Sequence, residues 1–75
     1  MTIQLYKRLI YETSLIVKNC TSTGTYFAPK CWDKMIHENL DRANEIHLKM
    51  NSFEKSQINK VYFDLLDKIK SDTHI

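Results

Sequence analysis

The feature that most constrains this chain is the spacing of apolar residues between Pro29 and Met50. At about 100° per residue, Trp32, Met35, Ile36, Leu40, Ala43, Ile46 and Met50 fall in one arc of roughly 140°. Asp33, Lys34, His37, Glu38, Asp41, Glu45 and Lys49 occupy the opposite arc. A stripe of that width belongs to a helix covering a globular core, so the pattern predicts a helix over 29–50. Pro29 suits its first turn, where a missing N–H leaves no hydrogen bond unmade. Lys34–Glu38, Glu38–Arg42 and Glu45–Lys49 are opposite charges one turn apart, and each such pair stabilises a helix by about 0.2–0.5 kcal/mol. Two polar residues, Asn39 and His47, interrupt the stripe.

The same period predicts a first helix over 2–19. Leu5, Tyr6, Leu9, Ile10, Thr13, Ile16, Val17 and Cys20 share one face, with Ile3 at its edge and Thr2 as a cap. The β-branched residues there also suit a strand, so a strand over Ile3–Tyr11 is the competing reading. Tyr11 and Leu15 do not fit the stripe. They stand four apart on the opposite side, beside Lys7, Arg8 and Lys18.

Between the helices, 21–28 carries hydroxyl residues and the chain's one Gly. Such residues offer the backbone local alternatives to a helix and mark a loop. Tyr26 and Phe27 are expected to fold back as a plug. The loop lacks the spaced glycines and lysine that cradle phosphate.

Asn51 followed by Glu54 reads as a capping box, which ends one helix near Met50 and starts another at Ser52. The alternative is one helix from Pro29 to Lys70. The third helix, over 52–70, is expected to bury Ile58, Val61, Tyr62, Leu65, Leu66 and Ile69. Ser56, Lys60, Asp64, Asp67 and Lys68 face water, Phe63 lies off the stripe, and the tail from Ser71 to Ile75 frays.

The expected fold is therefore all-α: a small three-helix bundle, or a helical hairpin with a docked first helix, in one domain over 1–75. With 75 residues the chain buries about 60% of its unfolded surface, which leaves stability marginal. A net charge of +2 is too small to imply nucleic acid by itself. Leu9–Val17 is too short to cross a bilayer, and Glu12 interrupts it. No export signal is visible, so a cytoplasmic location is expected, with Cys20 and Cys31 as free thiols. In an oxidising compartment they could instead form a bridge.

The run His37-Glu38-Asn39-Leu40-Asp41 approaches a zinc-protease helix, but that chemistry needs a second His where Asp41 stands. Cys20, Cys31, His37 and His47 lack the close ligand pairs of a compact zinc site. No nucleophile–base pair and no paired carboxylates on an apolar face are evident. The expectation is a non-enzymatic protein without a metal or other cofactor.

Surplus apolar residues point to a protein partner. Tyr11, Leu15 and Phe63 exceed what one three-helix core needs, and off-stripe aromatic and branched residues on a small domain mark interfaces. Lys7 and Lys18 would stand at the rim. The predicted partner-binding residues are thus Tyr11, Leu15, Phe63, Lys7 and Lys18, acting on a larger protein or on a second copy. A nucleic-acid-binding module using Lys7, Arg8 and Lys18 is the rival, weakened by Asp64 and Asp67, which repel phosphate. In size and pattern the chain resembles small helical adaptors, inhibitors and secretion chaperones of bacteria, phages and plasmids. That resemblance is one of class, and it implies a regulator or a homo-oligomeric subunit rather than a particular activity.

Overall fold

A computed structural model describes residues 2–21, 24 and 26–73. The fold is all-α. Among the described residues four helices follow in order: α1 (Thr2–Cys20), α2 (Lys30–Lys49), α3 (Ser52–Ser56) and α4 (Lys60–Thr73). The strand reading of Ile3–Tyr11 is therefore wrong, because tertiary burial of the helical stripe outweighs the weak β preference of single residues.

The organising element is α1, not α2. Tyr6, Leu9, Ile10, Thr13, Val17 and Cys20 are all buried on α1, whereas α2 buries Ile36 and Ala43, and α4 buries Ile69. α1 packs closely against both α2 and α4, while α2 and α4 meet each other chiefly through the rings of His47 and Phe63. A helix with two neighbours buries two faces, and a helix with one neighbour buries only the centre of its stripe. This explains why Trp32 and Met35, at the flank of the α2 stripe, are 40% and 45% exposed. The radius of gyration, 12.5 Å, exceeds the roughly 11 Å of a compact domain of this length, because the molecule is elongated, with extents of 39 × 21 × 17 Å.

Thr13 is the one buried polar side chain among the described residues. Its hydroxyl donates to the Leu9 carbonyl at 2.6 Å, which satisfies it inside the core. Pro29 stands just outside α2 rather than in its first turn, with φ −53° and ψ 152°. Its carbonyl accepts from the amides of Trp32 and Asp33 at 3.0 and 2.9 Å.

Asn51 ends the α2 register as expected. Its Oδ1 accepts from the Glu54 amide at 2.8 Å, and Glu54 Oε1 accepts from the Asn51 amide at 3.2 Å. The single helix from Pro29 to Lys70 does not form. Nor does the helix over 52–70 run unbroken: it stops at Ser56 and restarts at Lys60. The Ser56 hydroxyl bonds back to the Phe53 carbonyl at 2.6 Å, and the amides of Gln57 and Ile58 close onto Glu54 and Lys55 in tight turns. Val61, at the flank of the α4 stripe, is 59% exposed instead of buried.

α3 buries nothing itself, but buried Met50 and Ile58 anchor it at both ends. Replacing Asn51 with Ala is accordingly expected to lower stability by about 1 kcal/mol, measured as a shift in the urea midpoint. An unchanged midpoint would show that the capping box contributes nothing.

The loop is half as expected. Tyr26 packs against the core, and its hydroxyl donates to Asp33 Oδ1 at 3.0 Å. Phe27 is 76% exposed and plugs nothing, although its amide donates to the Cys20 carbonyl at 2.9 Å. Gly24 adopts φ +86°, a backbone conformation that side chains rarely tolerate. At the other end α4 continues to Thr73, whose hydroxyl donates to the Ile69 carbonyl at 2.7 Å, so Ser71–Thr73 do not fray. The final two positions of the predicted tail, His74 and Ile75, lie outside the described residues.

Candidate protein-binding surface

Helical spacing places Lys7, Tyr11, Leu15 and Lys18 on one outer ridge of α1. The off-stripe pair is exposed, Tyr11 by 55% and Leu15 by 44%. Both line a groove of about 370 Å³ between α1 and α4, with Leu65 and Ile69 on the α4 side. Lys18 and Lys68 supply its positive charge, and Asp72 stands in the lining as a lone carboxylate. Three of the five predicted residues thus converge on one apolar groove with a basic rim.

The other two lie elsewhere. Lys7 is half-buried, with its ammonium 5.6 Å from the centre of the Tyr62 ring. That cation–π contact helps hold α4 beside α1. Phe63 is half-buried too, contrary to the expected exposure, because His47 of α2 reaches it. Its ring meets His47 edge-on at 6.2 Å, and His47 lies 5.7 Å from Tyr6. These rings line a second groove, about 460 Å³, between α2 and α4, with Asp41 and Lys70 at its edges. His47 is therefore a boundary residue held between aromatic rings. Asn39 is half-exposed on α2.

The near-motif on α2 has a different pairing from the one its spacing suggests. His37 Nε2 lies 3.5 Å from Asp33 Oδ2, one turn back, rather than against Asp41. Asp33 also accepts the Tyr26 hydroxyl, and burial, aided by this hydrogen bond, pushes the Tyr26 phenol up to about 12. Among the described residues no group of three His, Cys, Asp or Glu side chains is placed to hold a metal ion. Of the three predicted charge pairs on α2, Lys34–Glu38 forms at 3.8 Å, and the other two do not close. Arg8 pairs with Glu12 at 2.8 Å on α1, which spends its charge locally.

Cys20 and Cys31 are both free, one buried and one exposed. Burial, aided by the Asp33 charge, raises the Cys20 thiol above its ordinary range and keeps it neutral. No helix among the described residues is long and apolar enough to cross a membrane.

Several exposed apolar residues escape the sequence reading. Trp32 and Met35 sit within the apolar stripe and give no sign of being left uncovered. Phe53 is 70% exposed on α3, and Leu48 is 71% exposed on the charged side of α2. For Leu48 a signal does exist: it follows Glu45 by three and Asp41 by seven, which places a leucine among carboxylates. No protein-family model matches the chain, and no curated protein or solved structure shows significant similarity to it.

Proposed function

We propose that this chain is a small, non-enzymatic binding protein that regulates a protein partner through the α1/α4 groove. The observation that carries this reading is the convergence of Tyr11 and Leu15, both exposed, with Leu65 and Ile69 under a lysine rim. Tyr and Leu gain the transfer free energy of burial when a partner covers them, and Tyr does so with little loss of side-chain freedom. The rim lysines select an acidic or neutral edge on the partner and speed encounter. Two free thiols accord with a cytoplasmic setting.

Tyr11→Asp combined with Leu15→Asp is expected to abolish association while helicity and thermal unfolding stay as in the wild type. The measurements are capture from native lysate, mass under native conditions, and circular dichroism. If the double variant unfolds instead, the two residues belong to the core and the reading fails.

A further inference from the structure

Resting on the reading of the α1/α4 groove as a binding surface, we infer that its occupant is a second copy of this chain. The inserted group is Leu48, with Asp41 and Glu45 set against Lys18 and Lys68. Two observations lead there. First, the groove is lined from α1, α4 and Thr21, so no α2 residue reaches it, and the chain does not fill it with its own Leu48. Second, the exposed apolar side chains differ in their company. Phe27 lies before Lys30 with no carboxylate near it in sequence, and Val61 follows Lys60. Phe53 adjoins Glu54, whose carboxylate is held by the capping box. Leu5, Trp32 and Met35 do stand on long helices, but the carboxylates near them, Glu12, Asp33 and Glu38, are held by Arg8, His37 and Lys34. Leu48 stands on a rigid helix face with two exposed carboxylates, one and two turns back, that no such pair holds.

The groove presents the complement: apolar walls of Tyr11, Leu15, Leu65 and Ile69, and two exposed lysines that outnumber its one carboxylate, Asp72. A leucine is a suitable occupant for a groove of about 370 Å³, and carboxylates facing lysines fix its orientation. The knob and the groove are different surfaces of one molecule. Their contact is therefore heterologous and does not close on itself, so copies add head to tail. With one apolar anchor and rim charges, the interface belongs to the small, transient class. Its charge component is screened by salt over a Debye length.

The test is sedimentation equilibrium of the full chain over a range of concentrations, at low and high salt. The expected result is an average mass that climbs with concentration at low salt, without a plateau at the dimer, and falls back at high salt. Leu48→Ser should weaken association roughly tenfold or more. Asp41→Lys with Glu45→Lys, and separately Lys18→Glu with Lys68→Glu, should each leave a monomer, and mixing the two variants should restore association. Single reversals, Glu45→Lys and Lys18→Glu, give the same reciprocal test if either double variant loses helicity on circular dichroism. A wild-type chain that stays monomeric at millimolar concentration and low salt overturns the second-copy identity and leaves the groove open to another protein. Charge-reversed variants that associate as the wild type does, or a mixture that fails to recover, also overturn it. Association that persists in Tyr11→Asp/Leu15→Asp overturns both this inference and the groove reading.

Discussion

Replacing Ile10 with Ala is expected to leave a large fraction of the protein unfolded under conditions where the wild type is folded. Ile10 is 0% exposed on the helix that packs against both other long helices. Truncating a fully buried Ile costs about 2–5 kcal/mol, part lost transfer free energy and part cavity. A single core in a domain this small supplies about 3–5 kcal/mol of net stability. The two magnitudes are comparable, so the loss moves the folding equilibrium close to balance. Trp32→Ala is the control, because Trp32 is the largest residue of the α2 stripe yet remains 40% exposed. Its truncation should cost less than that of Ile10. Urea unfolding followed by helical ellipticity measures both, and the reverse ranking would show that α2, not α1, carries the core.

Alkaline destabilisation is the second large effect, and three groups act in the same direction. The folded state raises the Cys20 thiol above its ordinary 9.0 and the Tyr6 phenol above its ordinary 10.0, both chiefly by burial. It raises Tyr26 from 10.0 to about 12, by burial and by the hydrogen bond to Asp33. Each group is neutral when protonated, so the folded state holds these protons more tightly than the unfolded chain does. Between the unfolded and folded values the unfolded state binds fewer protons, and stability falls as pH rises. The stabilisation is complete below about pH 9, declines from there, and from Tyr26 is fully lost only above about pH 12. The expected result is a melting temperature that drops steadily across that window, with reductant present to keep the thiols free. Tyr26→Phe should remove part of the slope, since it deletes one of the three ionisations along with the bond to Asp33. A melting temperature that stays flat through the window would show that burial does not hold these groups neutral.

Much of the fold was legible because helices are written in local periodicity. The buried face of α1 follows directly from residues three and four apart, and the Asn51–Glu54 capping box from two side chains within one turn. Tyr11 and Leu15 were legible for the same reason: residues off an apolar stripe must point away from what the stripe covers. Phe63 was not. Its burial depends on His47 of α2, whose ring meets it edge-on, and nothing within α4 specifies that contact. Lys7 was read as a free rim charge, whereas the ring of Tyr62, fifty-five residues along the chain, holds it.

Sequence alone therefore determined which segments are helical, where the first and second long helices begin and end to within a residue or so, and which face of each is apolar. It could do so because those properties depend on neighbours within one or two turns. The tertiary structure decided how many partners each apolar face receives. α1 is covered from two sides and becomes the core, while α2 is covered chiefly by α1 and leaves Trp32 and Met35 partly in water. Pairing of that kind depends on contacts between residues distant in sequence. The period of a stripe records that a face is to be buried, but not by how many neighbours.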